Sequence, residues 1–118
     1  MIIIREKTLN EANKKLSVPE FIKLMQKLDQ YRAFKKIFVQ LNPFFQQETN
    51  GSFTIKSKGN YSFFLLERDS QLEVVYQNIN YVEIFNDNVG VFFKNNLRIY
   101  LYPGSRLGMD MFLAGDLP

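Results

Sequence analysis

Glu73 and Glu83 form the one pair of side chains in this sequence whose spacing favours acid–base chemistry. Both fall in segments that alternate apolar and polar residues, at positions that would place the two carboxylates on the same face of adjacent strands. Such a pair acts as acid and base when the surroundings separate the two pKa values. Nothing in the neighbouring sequence indicates a pocket. We therefore interpret both residues as surface charges and expect no enzymatic activity.

The sequence lacks the residues that most catalytic and metal sites require. It contains no cysteine and no histidine in 118 residues. This excludes disulfides, thiol nucleophiles, Cys/His zinc sites and Ser-His-Asp catalysis within the chain. The segment 86–90, rich in Asn and Asp, lacks the ligand spacing of a calcium loop, and the glycines near the C-terminus are not followed by the lysine of a phosphate loop. We predict no cofactor and no metal.

Aromatic residues suggest binding rather than catalysis. They make up 15% of the sequence, as 12 Phe and 6 Tyr. Strict alternation would place several of them, together with cations, on the sheet face opposite the core. A face turned wholly to water would carry mainly Thr, Ser, Lys and Glu, so rings there indicate a contact. The predicted interaction face consists of Phe64, Tyr81, Phe85, Phe92, Lys94, Arg98, Tyr100 and Tyr102.

Three interpretations of these rings remain open. The C-terminal tail, the N-terminal segment or a strongly curled sheet would cover them, or they contact another protein, either a second copy or a different partner. In the third interpretation the face binds nucleic acid, although Glu73 and Glu83 on the same face would repel phosphate. The residues for that role are Tyr81, Phe92 and Tyr100 under the bases and Lys56, Lys94 and Arg98 at the phosphates.

The elements that position these residues begin with a predicted long helix over 18–42. Ser17 three residues before Glu20 is a capping box, and Pro19 suits the first helical turn. Asn42 before Pro43 predicts the end of the helix. Two apolar sets at helical spacing follow this start: Phe21, Leu24, Met25 and Leu28, then Phe34, Ile37, Phe38 and Leu41.

The two apolar sets point in different directions on a straight helix. Their offset turns the second set by roughly 140° from the first at about 100° per residue. We favour a continuous or slightly kinked helix whose halves are buried against different neighbours. A bend over residues 29–33 is the alternative.

From residue 51 the apolar period changes to two, which predicts an antiparallel meander over 51–102. Asn, Asp, Ser and Gly at the joints favour hairpins. The predicted strands are Ser52–Ser57, Tyr61–Glu67, Gln71–Gln77, Asn80–Phe85, Val89–Lys94 and Leu97–Tyr102. The predicted core face comprises Phe53, Ile55, Phe63, Leu65, Leu72, Val74, Tyr76, Val82, Ile84, Val91, Phe93, Leu97, Ile99 and Leu101.

Together these patterns predict one α+β domain over 1–118. A lead-in over 1–17, with an edge strand at 2–4 and a helical turn or two over 9–16, precedes the helix. The helix packs on a curled antiparallel β-meander of roughly five or six strands. An apolar tail over 103–118 forms a short helix near residues 110–113 and folds back on the body.

The function we expect is a small cytoplasmic protein-binding module that acts through the aromatic outer face as an adaptor or regulator. It would bind another protein or form a homodimer. A single-stranded nucleic-acid platform is the alternative, and a carboxylate enzyme is a distant third. We expect no membrane association, because no apolar stretch approaches the roughly 20 residues that a spanning helix needs. The net charge of +3 is too small to select a partner class.

Overall fold

The computed structural model describes residues 14–42, 44–104 and 108–114. These residues form one antiparallel sheet of eight strands, flanked by short helices. The elements are β1 (Lys14–Leu16), α1 (Val18–Lys27), β2 (Arg32–Asn42), β3 (Phe45–Lys58), β4 (Ser62–Glu67), β5 (Ser70–Val75), a 3-10 helix (Tyr76–Asn78), β6 (Ile79–Ile84), β7 (Val89–Phe93), β8 (Arg98–Pro103) and α2 (Gly108–Ala114). The α+β class and the antiparallel pairing are confirmed, whereas the strand number of five or six was wrong.

Helix α1 begins where the capping box predicts. The Ser17 hydroxyl accepts a hydrogen bond from the Glu20 amide at 3.2 Å, and the Glu20 carboxylate accepts one from the Ser17 amide at 3.0 Å. Pro19 lies in the first turn. The predicted apolar face is confirmed, since Phe21, Leu24, Met25 and Leu28 are all buried.

The prediction of one helix over 18–42 was wrong, because the second half of that range is strand β2. Leu28 caps α1, and Gln30 then adopts a left-handed backbone conformation with φ 66°. The amide of Gln30 donates to the Ile55 carbonyl, and the Ile55 amide donates to the Tyr31 carbonyl at 3.1 Å. Strand β2 then pairs with β3 on one side and β8 on the other. Two ladders of backbone hydrogen bonds outweigh the local helical pattern.

A β-bulge explains why this strand resembles a helix in sequence. The register of β2 against β8 shifts between Phe34 and Lys36. Phe34 and Ile37 are both buried although they are three positions apart, an odd spacing that would place them on opposite faces of a regular strand. The extra residue of a bulge changes the inward spacing from two to three, which imitates one turn of helix. Phe38, assigned above to the helical apolar face, consequently points to the opposite side of the sheet.

The sheet is not a simple meander. Its strand order is β1-β6-β7-β8-β2-β3-β4-β5. Strands β2 to β5 form one series of neighbours and β6 to β8 another, and the two series are joined where β8 pairs with β2. The strands predicted from residue 51 onward all exist, with ends shifted by a few residues. The largest shifts are at β3, which begins at Phe45, and at β5, which gives way to the 3-10 helix at Tyr76.

The sheet bends around α1, which contacts both β3 and β6. In the strand order β7, β8 and β2 lie between those two strands. On a flat sheet that separation would be roughly 19 Å, whereas a helix with its side chains is about 10–12 Å wide. The concave side therefore holds the core. Of the predicted core face, twelve residues are buried, and Leu72 and Leu97 are partly buried against the same core.

The C-terminal helix α2 also packs on this concave side. Phe112 of α2 is fully buried, with its ring 5.2 Å from that of Phe34. The short helix expected near residues 110–113 is thereby confirmed. Residues 14–16 form β1 rather than the expected helical turn, and the expected strand at 2–4 lies outside the described residues. Within the described ranges, neither helix has the length and apolar character needed to cross a bilayer.

Candidate interaction face

Five aromatic rings form a connected group on the convex side of the sheet. This outer aromatic cluster comprises Phe38, Tyr81, Phe85, Phe92 and Tyr100, and each ring is partly buried. Tyr100 lies at its centre, with ring centroids 5.8 Å from Phe38, 5.9 Å from Phe92 and 6.5 Å from Phe85. Both α-helices of the described chain pack their buried residues on the other, concave side. Within the described residues, the rings are therefore shielded mainly by one another.

Within the cluster, Tyr81 and Phe92 are stacked face to face. They are cross-strand partners on β6 and β7, with centroids 4.6 Å apart and planes inclined by 10°. The separation matches the ~4.8 Å between neighbouring strands. The ring planes therefore stand upright on the sheet, with their faces toward the neighbouring strands and their edges toward the convex side. Lys15 Nζ lies 4.9 Å from the Tyr81 centroid, and Arg98 Cζ lies 5.8 Å from the Phe92 centroid.

A cation thus stands at each end of the stacked pair. Lys15, Tyr81, Phe92 and Arg98 lie on β1, β6, β7 and β8, which are consecutive strands of the sheet. The contacts are of the cation–π type, which contribute about 0.5–1 kcal/mol each at exposed sites. The row presents ring edges and two positive charges, while the aromatic faces are occupied by neighbours within the chain.

Gly90 makes room for two rings of the cluster. It lies between Glu83 on β6 and Tyr100 on β8. A Cβ atom at this position would meet Phe85 Cε2 and Phe92 Cε1, each at 2.9 Å. Carbon atoms pack at about 3.5–4.0 Å, so only glycine allows both rings to lie against this strand.

Tyr102 extends the face beside the cluster. Lys36 Nζ lies 4.2 Å from its ring centroid, and the same amine is 3.9 Å from the Glu48 carboxylate. Burial raises the pKa of the Tyr102 phenol, as do the negative charges of Asp87 and Glu48 nearby. Tyr102 therefore stays protonated at neutral pH and keeps its phenol O–H as a hydrogen-bond donor.

The structure brings together most of the predicted interaction face but not all of it. Tyr81, Phe85, Phe92, Tyr100 and Arg98 lie in or against the cluster. Tyr102 lies beside the cluster, and the two remaining predicted members lie elsewhere. Phe64 on β4 is flanked by Lys56 and Glu73, with β2 and β3 between it and β8, and Lys94 is an exposed turn residue after β7.

The carboxylate pair of the enzyme alternative is not assembled as expected. Glu73 lies on β5 and Glu83 on β6, and five strands separate them in the sheet order. The expectation of adjacent strands was wrong because β5 and β6 do not pair: the 3-10 helix Tyr76–Asn78 joins them in place of a hairpin turn. Glu73 accepts a hydrogen bond from the Ser62 hydroxyl at 2.7 Å, while Glu83 faces Lys15 across β1 and β6. Neither carboxylate lines the open clefts of 250 and 460 Å³ in the described part of the chain.

Three contributors to the face escaped the sequence reasoning. Phe38 and Lys36 were hidden by the helix assigned over 18–42, and Lys15 by the lead-in. The β-branched residues Ile37 and Val39 on either side of Phe38 were the available signal for a strand.

No protein family, curated protein or solved structure with which the chain was compared matches it.

Proposed function

We propose that this chain is a non-enzymatic protein-binding module of the cytoplasm, acting as an adaptor or regulator through its outer aromatic cluster. The observation that carries the proposal is the connected group of five partly buried rings on the face opposite the core. Contiguous apolar patches of this kind on soluble proteins commonly mark contact sites. Tyr, Phe and Arg are also the residue types enriched at the centres of interfaces.

The surroundings of the cluster support a protein partner. Arg98, Lys15 and Lys36 border the rings, so an apolar centre has a charged rim. That arrangement is the usual anatomy of a specific protein interface. The rings have few rotatable bonds and already touch one another, which reduces the entropy lost when a partner orders them.

Nucleic-acid binding is the second candidate, and the ring geometry disfavours it. Stacking a base requires an open aromatic face. Tyr81 and Phe92 cover each other, and Lys15 and Arg98 lie at the outer ends of the pair. Titration of a labelled oligothymidine at increasing salt tests this alternative, because binding through phosphates weakens steeply with salt. Tight, salt-sensitive binding would favour the nucleic-acid platform over the protein module.

Substitutions at the cluster test the protein-binding proposal. Phe92→Glu and Tyr100→Glu each place a carboxylate among the rings, whereas Tyr61→Glu changes an exposed Tyr that makes no ring contact with the cluster. With a partner isolated by affinity capture, we expect both cluster variants to lose binding and Tyr61→Glu to retain it. All three should remain folded, and each aromatic contact that a cluster variant loses should cost about 0.5–1.5 kcal/mol of stability. Binding that survives both cluster substitutions would refute the proposal.

A further inference from the structure

One segment of β3 leaves an open sheet edge. The pairing of β3 with β4 extends from Lys58 only to Thr54, whereas its pairing with β2 continues to Phe45. Among the described residues, Gln46–Asn50 therefore have a neighbouring strand on one side only. The side chains of this stretch are exposed apart from Thr49, which is partly buried. Beyond it the Glu67 side chain lies over Gly51 and closes the edge.

This edge lacks the usual protection against pairing with another strand. Sheet edges are commonly guarded by Lys, Pro, bulges or very short strands. The edge strand β1 fits that rule, with three residues that include Lys14 and Lys15. The stretch QQETN carries one charge, Glu48, whose carboxylate already lies 3.9 Å from Lys36 Nζ. It is consequently open to strand addition.

The symmetry of antiparallel pairing selects a register for a second copy. When an edge pairs with its own copy, the two-fold axis is perpendicular to the sheet, and one residue lies opposite itself. The midpoint between the hairpin turn at Phe44 and the closed position at Gly51 falls between Gln47 and Glu48, which leaves these two residues as candidate centres. Centring on Gln47 places Gln46 opposite Glu48 of the second copy, where the amide can donate to the carboxylate. Centring on Glu48 would oppose two like charges, which destabilises a strand pair.

We propose that two copies of this chain pair edge to edge through β3, antiparallel and centred on Gln47. The register brings Phe45, which is 48% exposed, opposite Thr49 of the second copy. It also brings Phe44 of the β2–β3 turn, which is 96% exposed, opposite Asn50 of the second copy. Burial of that apolar surface adds to the backbone hydrogen bonds gained along the edge.

This dimer would keep both outer aromatic clusters available. A two-fold axis perpendicular to the sheet leaves the convex faces of the two copies on the same side. Two linked binding faces increase apparent affinity for a partner with two matching sites. The dimer itself does not depend on the function proposed for the cluster, and Phe92→Glu should leave it intact.

Disulfide trapping tests the register. The chain has no cysteine, so Gln47→Cys introduces its only thiol. Directly opposed residues of antiparallel strands lie about 4.5–5.5 Å apart at Cα, within the range that a disulfide can span. We expect mild oxidation to give a covalent dimer from Gln47→Cys but not from Lys56→Cys, which is exposed on the part of β3 that pairs with β4. Equal cross-linking of the two variants, or cross-linking of Thr49→Cys in preference to Gln47→Cys, would overturn this pairing.

Sedimentation equilibrium with matched lysine substitutions tests the association without a covalent bond. Gln47→Lys opposes two ammonium groups across the axis and should weaken the dimer by roughly two- to fivefold. Gln46→Lys faces Glu48 of the second copy and should leave the dimer as tight or tighter. Both sites are exposed, so neither change should unfold the chain. A chain that remains monomeric up to about 1 mM, where even a small interface should be populated, would refute the dimer.

Discussion

Gly90→Ala should rearrange the outer aromatic cluster without unfolding the protein. The added methyl group would lie 2.9 Å from carbons of both Phe85 and Phe92. Since carbons pack at about 3.5–4.0 Å, each ring must retreat by roughly 0.6–1.1 Å. Both rings are partly exposed, so they can turn outward. The stacking of Phe92 on Tyr81 should then be lost.

The expected change in stability is small because two effects oppose each other. Replacing a strand glycine with alanine stabilises by about 0.5–1 kcal/mol, while each disturbed aromatic contact costs about 0.5–1.5 kcal/mol. The net free energy of unfolding should therefore fall by no more than about 1–2 kcal/mol. For a domain of this size that corresponds to a decrease in melting temperature of roughly 4–10 °C.

Thermal melting and NMR of the aromatic protons together measure this outcome. Gly104→Ala is the matched control, since a Cβ there would find its nearest neighbour, the Ala33 carbonyl oxygen, at an unstrained 3.9 Å. We expect large shifts of the Tyr81 and Phe92 ring protons in Gly90→Ala and small ones in Gly104→Ala. A decrease in melting temperature well above about 10 °C would mean that the rings are pinned in place as core residues, and the reasoning about an uncovered face would be wrong.

Four further substitutions examine the core and the helix cap. Phe63→Ala should lower the free energy of unfolding by about 3–5 kcal/mol in denaturant titration, because Phe63 is fully buried against Phe21 and Tyr76; a cost below about 1 kcal/mol would contradict the assigned core. Tyr76→Phe should stabilise by about 1 kcal/mol, because within the described residues the buried hydroxyl has no hydrogen-bond partner and burial raises its pKa; a loss of stability would indicate a partner. Ser17→Ala should cost about 1 kcal/mol through loss of the cap, and an unchanged melting temperature would contradict the capping role. The hydrogen bond from the Ser17 amide, followed in size by that with the Ser17 side chain, lowers the pKa of Glu20 from its ordinary value of 4.5. The ionised carboxylate therefore stabilises the fold above that value, and this stabilisation is lost as pH falls through the folded-state pKa. A loss of stability at acid pH that is the same in Glu20→Gln would refute this role.

Local signals predicted the parts of the fold that depend on local interactions. The capping box placed the start of α1, since Ser17 and Glu20 satisfy each other's amides whatever the rest of the chain does. Alternation identified the buried face of β3 to β8, because one side of each strand must face the core. The register shift between Ile79 and Tyr81 lies at the start of β6, before the predicted inward residues Val82 and Ile84, so it leaves the predicted face of that strand unchanged.

The errors arose where distant parts of the chain decide the structure. Residues 32–42 have a helical apolar spacing, yet they pair as a strand with β3 and β8. Nothing in the local sequence indicates the pairing with β8. The bulge near Phe34 gives this strand an inward spacing of three, so Phe38 was assigned to a helical apolar face and left out of the predicted interaction face. Similarly, the sequence between Glu73 and Glu83 resembles a hairpin, whereas β5 and β6 are separated by five strands in the sheet order.

Affinity capture of the tagged chain from an extract of its source, with and without nuclease, tests the central claim most directly. The outer aromatic cluster as a protein-binding face predicts a stoichiometric protein partner that survives nuclease. That partner should be recovered with Tyr61→Glu and lost with Phe92→Glu. Recovery of nucleic acid instead, or a partner that disappears after nuclease or persists with Phe92→Glu, would contradict it.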